Sequence, residues 1–274
     1  MDSRNGSTNK ALFDLADPAS AYVFGFLQAD GTHSAGKGRK GRVSVEIKAD
    51  DVHLLRDMQQ VLPWRTSITF RTRTTNFSSS ACRYATLNMC ILEGRTRLLE
   101  LGLPVGRKSA IIAPPVEPFS HSDYLRGLID ADGSVGFTAR GWPFISLVTA
   151  SPAIARFTCE EILRVTGTVR TTRPNARDAV MNIMIATDPA VEFARWLYED
   201  ACVAMERKRE AALTVVGWER PASMRIRSNY KRWTPAEDAV VLHMSIKDAA
   251  ETLGRTRKSV ELRRWRLNAR PHDC

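Results

Sequence analysis

Two apolar segments of the chain end in the same tripeptide, AYVFGFLQADGTHS at 21–34 and DYLRGLIDADGSVGF at 123–137, and Asp30 and Asp132 lie 132 − 30 = 102 residues apart. The segments downstream of the two tripeptides match in kind, so the chain is expected to fold as one supersecondary plan used twice. A period-2 stretch comes first, RVSVEIK at 42–48 and PFISLVT at 143–149. An amphipathic helix comes next, at 50–62 and 151–167, and then two more strands, 67–74 with 83–91 and 168–173 with 178–186. Each copy closes on a helical stretch and a basic pair, Arg107-Lys108 and Arg207-Lys208; the spacing from motif Asp to Lys is 108 − 30 = 78 and 208 − 132 = 76. Each lobe is therefore expected to run αββαββα. The Pro-rich APPVEPFS at 113–120 is the natural connector. Ser120 with Asp123 offers a capping pair for the second motif helix, and Asp17-Pro18 offers N-cap and first helical residue for the first.

The motif helices carry small residues where bulky ones would bury more surface. Ala21, Gly25 and Ala29 recur every four residues on the first, Gly127 and Ala131 on the second, so each presents a flat stripe that another backbone can approach closely. Pairing through these stripes would bring Asp30 and Asp132 together at two negative helix ends, with Gly31 and Gly133 ending the helices in left-handed turns. Two neighbouring carboxylates there repel unless a cation lies between them. Oxygen ligands without His or Cys favour a hard ion such as Mg2+, whose waters remain available for chemistry on a phosphate. A single Ala-Asp-Gly is more simply a helix stop; its duplication, with matching downstream elements, favours a shared site.

Composition narrows the partner. The 274 residues are 43% hydrophobic, enough for a real core, and 40 Lys+Arg against 30 Asp+Glu give a net charge of +10. A polyanion, nucleic acid ahead of a membrane surface, is the expected partner, a merely soluble basic surface being the plainer alternative. No apolar run reaches eighteen residues, and MDSRNGSTNK lacks the apolar stretch of a signal peptide, so a cytoplasmic protein is expected. Cysteines at 82, 90, 159, 202 and 274 never fall in CxxC spacing and form no cluster with the histidines, so neither disulfides nor structural zinc are expected. His272-Asp273-Cys274 is similar to the end of an intein, but Met1 is no splicing nucleophile, and a free-standing protein is expected.

LRGLIDADG at 125–133, VFGFLQADG at 23–31 and LGLPVGRKSAIIAPP at 101–115 resemble the LAGLIDADG homing endonuclease family in its single-chain, two-motif form, over roughly residues 15–215. The resemblance implies an α+β fold of two pseudo-symmetric lobes, 15–112 and 121–216, whose antiparallel sheets form a saddle on the DNA major groove. It implies a monomeric, site-specific endonuclease cutting both strands of a long pseudo-palindromic duplex site with two or three Mg2+ ions, Mn2+ substituting, in a prokaryotic or phage-encoded setting. Metal would be held by Asp30 and Asp132 with the backbone oxygens of Ala29 and Ala131. Lys108 and Lys208 would polarise the site, and Lys48 and Thr149 would position water. Gln28 stands where the family has an acid, the place of Asp130 in the second copy; two residues before the catalytic acid it faces elsewhere on the helix.

Strand alternation sets Thr69, Arg71 and Arg73 against Ile68 and Phe70, and Tyr84, Thr86 and Asn88 against Ala85, Leu87 and Met89. The polar set is expected on DNA, with Arg170 and Asn182 for the second lobe; a solvated sheet face is the plainer reading of any one of them. Arg39 and Lys40, in the basic loop AGKGRKGR, suit phosphates. After a connector at 217–229, residues 230–270 resemble a Myb/SANT-like helix-turn-helix, with KRWTPAEDAVVLHM as its opening, Arg257, Lys258, Glu261 and Arg264 near one side, and Val260 and Trp265 as expected core. A protein-binding helix is the alternative for that module. For the whole chain the alternative is a non-cleaving DNA-binding transcription regulator, or an intron maturase, on the same fold.

Overall fold

The computed structural model describes residues 13–75, 78–222, 224 and 233–268, the side chains of 39, 75 and 78–80 excepted. The chain divides into two compact units between Arg220 and Pro221, inside the connector expected from sequence.

In the first unit, helix α1 (Pro18–Asp30) begins where Asp17 accepts the Ser20 amide at 2.8 Å with Pro18 at the first turn. Strands β1 (Thr32–Ser34) and β2 (Arg42–Lys48), helix α2 (Val52–Val61), strands β3 (Thr66–Thr75) and β4 (Ser78–Met89) and helix α3 (Leu92–Glu100) complete the first copy. The second holds α4 (His121–Asp132), β5 (Gly133–Phe137), β6 (Pro143–Thr149), α5 (Pro152–Thr166), β7 (Met181–Ala186), α6 (Asp188–Tyr198) and α7 (Glu206–Val216). The strands form two antiparallel sheets, ordered β1-β2-β4-β3 and β5-β6-β7. Val43, Val45 and Ile47 turn inward on β2, and Ile145 and Leu147 on β6, joining one apolar core that extends through both copies. Among the described residues no helix is long and apolar enough to cross a membrane.

Helices α1 and α4 pack directly on each other and form the centre of that core. Every residue from Ala21 to Gln28 and from Asp123 to Asp130 is buried, so neither helix has a solvent face over that length. A methyl group added at Gly25 would run into the Tyr124 carbonyl oxygen, and one at Gly127 into the Tyr22 carbonyl oxygen and, at 2.8 Å, the Phe26 amide nitrogen. No side chain separates the two backbones there.

Several expectations fail locally. Gly31 and Gly133 are extended (φ −70° and −107°), not left-handed. Close approach makes glycine necessary: a Cβ would stand 2.5 Å from the Leu27 oxygen at Gly31 and 2.5 Å from the Ser146 oxygen at Gly133. The Ser120 hydroxyl does not cap α4 but donates to Asp123, next to its Arg126 ion pair. Residues 168–173 form no strand, because Val169 is the one apolar side chain in TVRTTR and it is 53% exposed, leaving no face to bury. Asn175, whose side chain accepts the amides of Arg177 and Asp178, turns the chain directly into β7. The second copy is therefore αββαβαα, with three strands.

Among the described residues the second unit holds three helices, α8 (Pro235–His243), α9 (Ile246–Leu253) and α10 (Arg257–Asn268). Thr234 and Glu237 form a reciprocal capping box on α8, and Gly254 (φ 60°) ends α9 in the left-handed region. Val241, Ala249, Ala250 and Val260 make its small core, with Trp233 packed against it. Trp265 is 66% exposed and belongs to no core, since three short helices enclose too little volume for a second indole.

Gly25→Ala and Gly127→Ala should each lower unfolding free energy by about 2–3 kcal/mol or more, because backbone atoms cannot yield as a flexible side chain does. Urea melts of the full chain check this.

Candidate functional site

Asp30 and Asp132 are the last residues of α1 and α4, and both are exposed. Asp30 opens into a cavity of about 770 Å3 over the first sheet, beside Thr32, Ser44 and Glu46. Asp132 opens into a smaller recess of about 220 Å3 with Ala29, Ser109 and Thr149. Burial against the protein raises both acids above the ordinary carboxylate value, and Asp132 raises Asp30 further by repulsion. Burial, rather than repulsion, is the larger cause for each.

A lysine meets each helix end from below. Lys108 Nζ donates to the carbonyls of Gln28 and Ala29, and Lys208 Nζ to those of Ile129 (2.7 Å), Asp130 (2.7 Å) and Gly133 (2.8 Å). Apart from that of Gly133, which opens β5, these are among the last carbonyls of a helix, where a cation compensates the negative dipole end. Both ammonium groups are buried, which lowers Lys108 and brings Lys208 down to about 8, while the motif acids pull the other way. The lysines therefore hold the ends of the motif helices in place and lie within electrostatic reach of the acids. Ala29's oxygen, expected as a metal ligand, is already an acceptor of Lys108; Ala131's is not among the acceptors of Lys208.

One turn back, the Gln28 and Asp130 positions hold the two helices together. The Tyr22 hydroxyl donates to Asp130 across the helix pair at 2.7 Å, and the Tyr124 hydroxyl, 124 − 22 = 102 residues on, donates to Gln28. Asp130 also accepts Tyr198 and the Met205 amide, each at 2.7 Å, and Gln28 donates to the carbonyls of Gly102 (2.7 Å) and Ala113 (3.1 Å). Gln28 thus faces the partner helix and the inter-lobe connector, not solvent. Burial raises Asp130, and its three donors oppose that. The sequence carries a signal for this pair, since Tyr22 and Tyr124 stand at the same offset as the two motif acids.

On the first sheet Thr69, Arg71, Arg73, Thr86 and Asn88 share the cavity wall with Asp30. Tyr84 lies under the Arg73 guanidinium at 4.3 Å. Lys48 stands at the far end of β2, opposite Tyr84, and the acid's cavity is met instead by Glu46, two residues earlier on the same face. Thr149 sits beside Asp132 and accepts the Ser151 amide at 3.1 Å. Asn182 is exposed on β7 opposite Val148, while Arg170 lies in the irregular segment, its charge felt by Cys159. Around Asn182 the outward residues are Phe144, Ser146, Val148 and Met184, with Ser134 beside Ser146, so the second face carries hydroxyls and one amide among apolar side chains and no charged group. Lys40 is exposed in a short turn, and Arg39's side chain is outside the described residues. Arg257 and Lys258 are exposed at the start of α10, whereas Arg264 is spent on the Val241 (2.8 Å) and Met244 carbonyls.

Among the described residues no three His, Cys, Asp or Glu side chains converge; the donors at the two helix ends are oxygens alone, the chemistry that a hard cation takes.

No protein-family model matches the sequence, and no curated protein matches it. Among solved structures the chain is similar to full-length DUF199/WhiA from Thermatoga maritima, at 11% identity over 95% of each chain with a TM-score of 0.44. It is similar to the homing endonuclease I-WcaI bound to its DNA recognition sequence, at 12% identity over 76% of this chain and 93% of that one with a TM-score of 0.49. A third is the I-LtrWI LAGLIDADG homing endonuclease bound to target DNA, at 8% identity over 73% and 90% with a TM-score of 0.41.

Without metal, Asp30→Asn and Asp132→Asn should each raise stability. A raised acid binds more protons folded than unfolded, so its cost is absent below the unfolded pKa and grows as pH climbs through that value and then the folded one. The gain should therefore vanish in acid and reach on the order of 1 kcal/mol near neutrality, discounted for solvent screening of two exposed groups. Thermal melts at pH 3 to 8 in chelator, repeated with Mg2+, which should stabilise the wild type more than either variant, decide it.

Proposed function

We propose that the chain is a site-specific, Mg2+-dependent endonuclease of the LAGLIDADG type acting on double-stranded DNA. The observation that carries the reading is the placement of Asp30 and Asp132, from two helices held backbone to backbone, above buried lysines, with Asp30 beside a wall of Arg, Thr and Asn side chains and Asp132 beside Thr149. A bound cation, held by the two aspartates, would supply an activated water and charge for the leaving oxygen. The protein's own part is to fix the acids, to place Thr149 beside Asp132 and Glu46 beside Asp30, and to hold the duplex. Phosphate contacts come from exposed Arg and Lys, including Lys40, Arg257 and Lys258, and base contacts from Arg71, Arg73, Tyr84 and Asn88. The second unit, with its capping box, left-handed Gly254 and exposed α10 arginines, is read as a helix-turn-helix arm that adds affinity.

Two observations favour a second reading, a non-cleaving DNA-binding protein on the same framework: Lys108 occupies the Ala29 oxygen, and the outward face of the second sheet carries no charged side chain. Cleavage separates the two readings. Purified protein incubated with a randomised duplex library should cut both strands of selected sites in Mg2+ and not in chelator. Asp132→Asn should lower cutting about a hundredfold or more and leave binding within a few-fold, because affinity comes from many dispersed contacts. Robust cutting by the double Asn variant would sink the catalytic assignment; binding without any cutting by the wild type would establish the second reading.

Removing residues 229–274 should weaken binding and flatten its salt dependence by roughly one unit of slope per lost phosphate contact, with cleavage intact at saturating protein. Equal affinity of the truncated chain at every salt concentration would show that the second unit does not touch DNA.

A further inference from the structure

We propose that Glu46 is a positioning residue for base reading: it clamps one edge of the Arg71 guanidinium so that the opposite edge stands as a fixed fork toward a guanine in the major groove. This rests on the DNA-binding reading above and names the device that sets its specificity.

Apart from Asp30, Glu46 is the acid in a cavity wall of Ser, Thr, Asn and Arg side chains. Its Oε2 accepts Arg71 Nε at 2.6 Å and its Oε1 accepts Arg71 Nη2 at 2.8 Å. Thr86 Oγ1 donates to Oε2 at 3.1 Å, and Arg73 Nη2 lies 3.6 Å from Oε1. The cluster is dictated by register: Glu46 pairs with Thr86 across β2 and β4, and Arg71 pairs with Tyr84 across β4 and β3, so β2 holds the acid two strands from the arginine it orders.

Arginine has five donors in a plane. The carboxylate takes the Nε–Nη2 edge, which leaves Nη1 and the outer hydrogen of Nη2 as a parallel pair, the pair that matches O6 and N7 of guanine. Arg71's side chain is 57% exposed, so this free end opens into the cavity. An unclamped arginine on an exposed strand would lose its rotamer freedom on binding; here that ordering precedes DNA. A lone surface ion pair is worth little. Glu46, however, gathers partners from two strands, and its value to the protein lies in orientation. Its negative charge also offsets Arg71 and Arg73, so that these two guanidiniums contribute less to indiscriminate phosphate attraction and more to choice among bases.

Selection of bound duplexes from a randomised library in chelator, with full-length wild type, Arg71→Ala and Glu46→Gln, tests the proposal. Arg71→Ala should erase a guanine preference at one position. Glu46→Gln should weaken that same preference about tenfold while non-specific affinity rises and its salt slope steepens by up to about one. The preference is a ratio between sequences bound by one preparation, so partial misfolding of a variant does not move it. A guanine preference lost in Arg71→Ala and undiminished in Glu46→Gln overturns the clamp alone. If no position depends on Arg71, the guanine contact and with it the proposal is overturned, and a wild type that selects no sequence overturns the DNA-reading assignment as well.

Discussion

The meeting of α1 and α4 at Gly25 and Gly127 is the contact on which the rest of the molecule depends. With the backbones this close, each tyrosine hydroxyl reaches across to the other helix, Tyr22 to Asp130 and Tyr124 to Gln28. Those polar groups lie in an apolar, low-dielectric core, where an unmade hydrogen bond costs a few kcal/mol and a made one fixes register. A slip of one residue between the helices would orphan both tyrosine hydroxyls and take one of its three donors from the buried Asp130. The two Asp-Gly ends are thus held level with one another by the same contacts that form the core.

At those ends a second constraint takes over. A helix that stops beneath solvent leaves carbonyls without donors, and a carboxylate at that end is repelled by them. Lys108 and Lys208 answer the first difficulty by donating to the carbonyls, and in doing so bring positive charge under Asp30 and Asp132. Burial pushes the acids up and the lysines down, so each group is displaced toward neutrality. A divalent cation above the acids would restore their charge, whereas the lysines, fixed on carbonyls, are spent on architecture.

Much of this was legible in the sequence because it recurs in it. The offset of 102 residues picks out both motif helices and both acids, and the alternation along 42–48, 67–74 and 83–91 divides core from cavity wall as the sheet does. The features that escaped did so for physical causes of two kinds. Residues 168–173 have β-branched residues but one apolar side chain, and propensity without a face to bury does not make a strand. Gly31, Gly133, Ser120 and Arg264 are residue types with two common uses, and tertiary contacts, namely the Ser146 carbonyl, the Asp123–Arg126 pair and the end of α8, choose between them. Glu46 gives no signal in the sequence, because a lone acid in a basic strand reads as solvation until the register brings Arg71 and Thr86 around it.

The missing strand and the uncharged outward face of the second sheet bear on function together. On the first sheet β3 and β4 carry outward Arg71, Arg73, Thr86 and Asn88; on the second, the three strands carry outward Ser134, Phe144, Ser146, Val148, Asn182 and Met184, with no charged side chain. Base edges are discriminated most strongly by forked donors such as Arg on guanine, and a face of two short hydroxyls, one amide and apolar side chains discriminates less. A duplex lying across both sheets would therefore be read closely on one side and held by shape and phosphate contacts on the other. Under the proposed function, the sites selected from a randomised library should be strongly constrained in the half that faces Arg71 and permissive in the half that faces Val148. An equally informative second half would mean that contacts outside the β5-β6-β7 sheet supply the discrimination there.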